Sequence, residues 1–413
     1  MKSNTYDVCI IGGGASGLCA AAAIKMQDMG ISVIIAEQLD RVGKKLITTG
    51  NGRCNITNRV ISPDRYHGKN REFVRYALDR FDNIYTESFF AQLGVVFTYD
   101  EQGRAYPYSF QASSVVDALR FYVQNKGVDI KTDTEITDIK KNGGIYEVCF
   151  NKGKICAFNV ICAGGLYSGG AKLGSNGSLY KILKDKGYKT VETEPSIVQI
   201  KTENSLTKSL KGIKVNADVC LLADGKPVRS EYGEVLFCDY GLSGPPVMQL
   251  SGYVNRVSGQ KQISLDLMPE YSFAGVVDIL SYRTVVLRGR TLEEFFTGML
   301  NKRLGQAVLK LCGKKLSDSI DILKNADLKK IASCIKQLKI NVLKTAGFES
   351  SQVTAGGLDT DSFDPETMMS VNDRGLYAIG ELLDVDGDCG GFNLQWAWSS
   401  AMCAAESIIT ELS

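Results

Sequence analysis

Residues 6–37 alternate between apolar runs and glycine in a way that few backbones can satisfy. Tyr6-Asp7-Val8-Cys9-Ile10-Ile11 reads as a buried strand, Gly12 to Gly17 as a loop with G-x-G-x-x-G spacing, and Leu18 to Met29 as an alanine-rich helix stopped by Gly30. Ile31 to Ala36 reads as the next parallel strand, ending on Glu37. In such a βαβ unit Gly12 permits the tight turn, Gly14 lets backbone approach a pyrophosphate, and Gly17 allows close helix–strand packing. The helix start at Ala15 and Ser16 offers free N–H groups and a positive dipole end to phosphates. Glu37 falls about 20 residues beyond the loop, where a carboxylate accepts hydrogen bonds from ribose hydroxyls. The glycines alone would also fit a merely tight βα turn; the flanking strand and helix and the acid point to a dinucleotide. They do not separate FAD from NAD.

The chain is longer than one ordinary core: 413 residues imply two or three domains. A net charge of +2 sets up no strong field, so the expected partner is a small-molecule substrate, with no nucleic acid and no membrane. The oligomeric state is left open. No apolar run reaches the roughly 20 residues needed to span a bilayer. The start, Met1 to Asp7, is too short and polar to precede a secretion signal, and a cytoplasmic enzyme is the simplest expectation. The 12 cysteines include no C-x-x-C and are irregularly spaced, which favours buried free thiols over a disulfide framework. With His67 the only histidine, a His-rich metal site and a Ser-His-Asp triad are almost excluded.

Further along, an amphipathic helical region is expected around Asn70–Leu93 and a helix over Ser113–Lys126, capped by Ser113 or Ser114. Val128–Thr132, Glu135–Lys140 and Ile145–Phe150 alternate as strands do, and Asn159–Cys162 is a short buried strand ending in Gly164-Gly165. After about Glu194 short strand-like segments suggest a small antiparallel sheet or barrel. From Phe273 to Leu338 the pattern turns helical, Tyr377-Ala378-Ile379 reads as a buried strand, and Asn393 to Ile409 as a long final helix.

That late strand runs into Gly380 and Glu381, and the helix after it would begin near Gly391. In two-dinucleotide flavoproteins such a strand brings an acid to the ribityl chain of FAD, and the following helix aims its N-terminus at the flavin's pyrimidine edge. A glycine loop and a late acid at opposite ends of the chain therefore favour FAD over an ordinary βα unit closing a sheet.

The chain resembles the BaiN/YhiN-type flavoproteins, also described as aminoacetone-oxidase-like FAD-binding enzymes. The resemblance covers nearly the whole chain and rests on Gly43-Lys44-Lys45-Leu46 through Gly50–Asn58, Gly103–Pro107, Leu236 through Gly241–Pro245, Val353–Gly357, and Gly380–Gly387 through Gly391–Ala397. It implies an α/β fold: a Rossmann-type FAD-binding domain of the two-dinucleotide-binding flavoprotein type, interrupted by a small β-barrel domain and a helical domain. The expected limits are 1–193 and 354–413 for the FAD domain, 194–268 with 335–353 for the barrel, and 269–334 for the helical insertion. By the same resemblance Ala15, Ser16, Glu37, Lys45, Gly52, Arg53, Cys54, Asn55, Ile136, Glu381, Asn393 and Leu394 line the FAD, beside Gly12, Gly14, Gly17, Gly43, Lys44, Gly164, Gly380 and Gly391. Lys44, Lys45 and Arg53 would supply cationic donors near a pyrophosphate, although a lysine pair alone is more often a solvated surface feature. Two departures stand out: Cys238-Asp239 replaces the family's usual Thr-His, and Ala401-Met402 stands where glycine is common.

No second G-x-G-x-x-G in a strand–helix context lies between residues 160 and 350, so NAD(P)H is expected to act as a transient electron donor without its own domain. Cys54 lacks a C-x4-C partner, which argues against a dithiol mechanism and for a buried thiol beside the flavin. The candidates for a proton donor are Asp384, Asp386, Asp239 and Tyr240, with Asp388, Tyr106 and Tyr108 also considered. The aspartates equally fit turn hydrogen bonds, and the loop lacks the completing acid of a calcium site, so no metal is expected. The resemblance implies a reductase of a conjugated C=C in a bile-acid or 3-oxo-steroid type of substrate. An amine oxidase of the aminoacetone type is the alternative, and a non-catalytic flavin redox sensor or binding protein is the alternative of another class.

Overall fold

The computed structural model describes residues 5–413 apart from the side chain of Asn204; Met1–Asn4, part of the polar start, lie outside the described residues. Two compact units are formed, one by the chain up to Pro195 together with Phe348–Ser413, the other by Ser196–Gly347.

In the first unit five parallel strands lie in the order Asp129–Lys131, Val33–Ala36, Tyr6–Ile11, Gly153–Cys162 and Leu376–Ala378. Val8, Cys9, Ile10 and Ile35 are wholly enclosed, as continuous apolar strands of a parallel sheet covered on both faces must be. Cys9 faces Ile34 on one side and Val160 on the other, and Ile161 pairs with Tyr377, so the chain's late strand completes the sheet of its first. The strand expected over 159–162 runs from Gly153: its first half pairs antiparallel with Ile145–Phe150, which returns through a glycine turn to Ile136–Asn142.

The first helix spans Ala15–Gln27, three residues earlier than Leu18, because the second half of the glycine motif is already helical. The closing helix Phe392–Leu412 packs against it, a close approach that the run Ala20-Ala21-Ala22-Ala23 permits. Trp396 and Trp398 of the closing helix are almost wholly buried, and their indole N–H groups donate to Gly380 O at 3.1 Å and Ile56 O at 2.9 Å. Ala401 and Met402 fill buried positions of this helix without a glycine.

The region 70–93 is not one helix. It divides into Arg75–Arg80 and Asn83–Gln92, because the Asp82 carboxylate caps the second piece through Tyr85 N–H (2.8 Å) and the closing helix grips the buried carbonyl of Phe81 through Gln395 Nε2 (2.9 Å) and Ser399 Oγ (2.6 Å). The helix expected over 113–126 spans Ala112–Asn125; its N-cap is Gln111, and neither serine caps it.

The second unit holds a closed antiparallel barrel, Ile200–Thr202, Gly241–Ser243, Lys226–Cys238, Lys214–Ala223, Lys261–Asp266 and Leu338–Thr345 in spatial order. Helix Pro245–Arg256 packs on its strands, burying Val247, Leu250 and Val254. The stretch read as a helical insertion contains helices Phe273–Val286, Lys302–Leu311 and Asn325–Lys336, and shares one apolar core with the barrel: Phe237 and Leu265 belong to the same cluster as Phe295, Leu304 and Ile331. No described helix is long and apolar enough to cross a membrane.

Candidate functional site

The glycine loop is held from three sides. Glu37 accepts from Gly13 N–H at 2.7 Å and Leu39 N–H at 2.9 Å, Gly43 N–H donates to Gly13 O at 2.8 Å, and a Cβ on Gly12 would lie 2.6 Å from Ala163 O and 3.0 Å from Gly164 Cα. Gly17 sits so close to Gly12 O that no side chain fits. Gly14 differs: a Cβ there meets nothing within 4 Å, so the loop is tight against protein everywhere but on the face where a phosphate would approach. The first intrahelical bond, Leu18 N–H to Gly14 O, leaves the N–H groups of Ala15, Ser16 and Gly17 without helical partners. Burial raises the Glu37 carboxyl above its ordinary value against the lowering effect of its two N–H donors and Lys44.

The late strand brings its acid to this loop. Gly380 adopts φ +66°, and a side chain there would strike Ser16 Oγ, 2.8 Å from its Cβ. The next residue, Glu381, accepts from Lys45 Nζ at 2.5 Å and from Thr354 N–H at 2.8 Å. Lys44 instead pairs with Asp40 at 2.5 Å. Ile136 is buried, and Thr134 N–H, just before it, bonds to Glu37 O at 2.8 Å.

Between Gly50 and Cys54 the backbone is left-handed at four positions, two of them non-glycine, Asn51 (φ 55°) and Cys54 (φ 57°). A side chain on Gly52 would enter open space. Arg53 is exposed, with its guanidinium 5.5 Å from the centre of the Tyr106 ring. Cys54 is fully buried and free, its thiol pushed up to about 12 by burial. Beyond it the chain is tied to the start of the closing helix: Asn58 Nδ2 donates to Gly390 O at 2.8 Å, and a Cβ on Gly391 would lie 2.9 Å from Asn55 Oδ1. That oxygen is buried with no hydrogen-bond partner. The closing helix makes its first backbone bond at Gln395 N–H, leaving the N–H groups of Phe392, Asn393 and Leu394 free of helical partners. Asn393 itself clamps the preceding loop, accepting from Gly387 N–H and donating to Gly387 O, both at 2.8 Å.

The expected proton donors are scattered. Asp239 and Tyr240 belong to the barrel unit. Asp239 pairs with Lys211 at 2.6 Å, which holds its carboxyl below the usual range, the wrong direction for an acid that must carry a proton at neutral pH. Tyr240 is 40% exposed and its hydroxyl is pushed up to about 12, mainly by burial. Asp384, Asp386 and Asp388 are buried in the first unit. Asp384 accepts from Lys69 N–H at 2.8 Å, Asp386 pairs by its backbone with His67, and Asp388 takes His67 Nε2 at 2.8 Å and Arg65 Nη1 at 3.3 Å. Among the described residues no group of three His, Cys, Asp or Glu side chains is placed to hold a metal ion. Tyr106 is buried and its hydroxyl raised by that burial; Tyr108 is 71% exposed. The His67–Asp388 pair and the Asn58 and Thr354 contacts were not anticipated. The lone histidine, beside Arg65, was the only local sign of the first.

Over residues 6–407 the chain matches the family described as HI0933-like protein Rossmann domain. The chain belongs to this family. Along 402 residues it is 35% identical to the 3-dehydro-bile acid delta(4,6)-reductase of Clostridium scindens, covering 96% of this chain and 98% of that protein. Along 407 residues it is 29% identical to the ribosomal RNA dihydrouridine synthase of Haemophilus influenzae, covering 97% of each. Among solved structures it is similar to E. coli quinol fumarate reductase, with a TM-score of 0.53 and 14% identity over 99% of this chain and 71% of that one, a likeness of fold alone.

As a member of this Rossmann FAD-binding family, the HI0933-like chain is an FAD-dependent oxidoreductase. Its residues fit the group. The open faces of Gly14 and Gly52 are cradles that a Cβ would fill, the first-turn N–H groups at Ala15–Gly17 suit a pyrophosphate, and the orphaned Asn55 Oδ1 suits an N–H donor such as a flavin imide. Glu37 and Glu381 would hold hydroxyl-bearing parts of the ligand as acceptors.

Proposed function

We propose that this chain adds hydrogen across a carbon–carbon double bond conjugated with a carbonyl, with NAD(P)H as the reductant. One observation carries the reading. Two relatives matched over nearly the whole chain are named for unlike substrates, a bile acid and a ribosomal RNA uridine, yet the two names describe one bond change. Both the Δ4,6 system of a 3-oxo steroid and the uracil ring present a C=C in conjugation with a carbonyl. Bound FAD supplies hydride transfer at its isoalloxazine ring. The chain's own contribution is to bind and orient: the glycine loop and helix start hold phosphates, the Lys45–Glu381 pair lies beside the middle of the ligand, and the N–H groups of Phe392–Leu394, free of helical partners, favour negative charge at the start of the closing helix.

The substrate favoured first is a small hydrophobic enone of the 3-oxo-steroid type, from the higher identity of the bile-acid relative. A second reading, a uridine within RNA, is favoured by where the charge lies. The near-neutral total conceals a split: residues 196–347 carry 22 Lys and Arg against 14 Asp and Glu, leaving 26 against 32 in the rest of the chain.

The test is anaerobic. The flavin of the holoprotein is bleached with NADPH or NADH, then a 3-oxo-Δ4 steroid acid or a ribosomal RNA transcript is added. Re-oxidation by one acceptor, with a product heavier by two hydrogens, supports the reading and selects the substrate. Failure of both acceptors, or peroxide release driven by an amine in air, overturns it.

A further inference from the structure

Cys312 caps the C-terminal end of helix Lys302–Leu311, and Cys334 lies in helix Asn325–Lys336, in the same unit. The two helices pack together, and the contact is pinned on both sides of the thiols. Lys330, one turn before Cys334, donates from Nζ to Cys312 O at 3.1 Å, and Lys314, two residues after Cys312, pairs with Asp327 at 2.6 Å. Between these ties the Cys312 and Cys334 thiols meet, within reach of a mutual hydrogen bond. Cys312 is 5% exposed and belongs to the apolar core of the unit, while Cys334 is half-buried and packs on that core from its edge.

The surroundings separate the two sulfurs. The bond with Cys334, reinforced by Lys330 and Lys314, holds the Cys312 thiol below its ordinary value despite burial and the nearby Asp327. The same bond, with burial, raises the Cys334 thiol. Lys330 lies beside both sulfurs and favours the thiolate of either, and two thiols in contact can close on each other, which sets this pair apart from an isolated buried cysteine. Cys9 and Cys162 make the useful contrast. They lie on adjacent strands inside the parallel sheet, both fully buried, and burial raises both thiols, that of Cys9 to about 12.

We propose that Cys312 and Cys334 form a redox-active dithiol that hydrogen peroxide closes to a disulfide and a small thiol reopens. The Cys312 thiolate attacks the peroxide O–O bond, giving a sulfenic acid and hydroxide, which takes up a proton as water. The Cys334 sulfur then displaces the sulfenic hydroxyl, which leaves as a second water with the Cys334 proton. In sum two thiols and one peroxide give one disulfide and two waters; the sulfur pair loses two electrons and the peroxide gains them. The bond would tie the C-terminal end of one helix to the last turn of the other. This inference does not depend on the substrate of the flavin site.

The reduced holoprotein is treated with hydrogen peroxide, quenched, unfolded, and its thiols titrated and mapped. The count is expected to fall from twelve per chain to ten, with the missing pair found as one cross-linked peptide joining Cys312 and Cys334, and to return with dithiothreitol. Cys334→Ser should accumulate a sulfenic acid on Cys312 that dimedone traps, and Cys312→Ser should leave Cys334 unoxidised. Survival of all twelve thiols, cross-linking of another pair, or over-oxidation of Cys312 in the wild type without a cross-link would overturn the assignment. Because the mapping of the wild type decides, the conclusion stands even if a variant folds poorly.

Discussion

Lys45 Nζ lies 2.5 Å from Glu381 Oε2 across 336 residues of sequence, joining the short helix after the second strand to the end of the last strand of the sheet. The other carboxylate oxygen is fixed by Thr354 N–H, so the acid is oriented before any ligand arrives. Glu381→Gln keeps an acceptor for that N–H and removes the charge. Since both side chains are partly solvated, at 27% and 20% exposure, thermal unfolding of the apoprotein should register a loss of about 1 kcal/mol or less. FAD affinity, followed by fluorescence titration, is expected to fall about tenfold, or about 1.4 kcal/mol. Unchanged FAD affinity would remove Glu381 from the site.

Gly14 and Gly17 predict opposite failures. A side chain at Gly17 meets Gly12 O, which is backbone and cannot rotate aside, so Gly17→Val should destabilise the whole unit. At Gly14 a Cβ meets no protein atom within 4 Å. Gly14→Val is therefore expected to give a folded protein, with circular dichroism like the wild type, that purifies colourless. A yellow Gly14→Val protein would falsify the placement of the phosphate on this face.

Glu37 sets a pH dependence whose sign follows from burial. A carboxyl raised in the folded state binds its proton more tightly there than in the unfolded chain, so its favourable contribution is complete at acid pH and disappears as pH rises through the folded value. From about pH 4 upward the wild-type apoprotein should thus lose stability relative to Glu37→Gln, even though the amide cannot accept both the Gly13 and Leu39 N–H bonds. Urea unfolding of both proteins across that range checks the slope; a difference that stays flat or widens in favour of the wild type contradicts it.

His67 and Asp388, 6% and 4% exposed, form a buried pair next to the strand pairing of Tyr66–His67 with Asp386–Gly387. His67→Ala removes one partner of a buried carboxylate and leaves Arg65 on the other oxygen. A loss of about 2–4 kcal/mol in chemical denaturation is expected, with weaker flavin retention because the closing helix begins four residues after Asp388. A loss below about 1 kcal/mol would show that the pair is incidental.

The opening βαβ unit could be read from residues alone because its determinants are local. A strand of continuous apolar residues, glycines where a backbone must turn and approach, and an acid at the next strand end lie within 32 consecutive positions. The closing helix was equally plain, starting at Phe392 beside the expected Gly391. Where local signals were weak, neighbours distant in sequence decided. The region 70–93 broke at Phe81 because Gln395 and Ser399 claim its carbonyl. The strand ending at Cys162 gained six residues because a hairpin partner pairs with its first half. Total charge hid the basic character of residues 196–347, since net charge carries no information about position.

The amino-acid order by itself determined that this chain builds a glycine cradle for a dinucleotide and returns to the same sheet with a late acid, because turn chemistry and apolar periodicity act over a few residues. The tertiary structure alone decided which acids face that cradle. Asp384, Asp386 and Asp388 look alike in sequence, yet packing turns Asp388 onto His67 and Arg65 and Asp384 onto the Lys69 N–H, while Glu381 is the one that meets Lys45. A carboxylate's partner is set by desolvation and distance in the folded chain, quantities that no spacing along the backbone encodes.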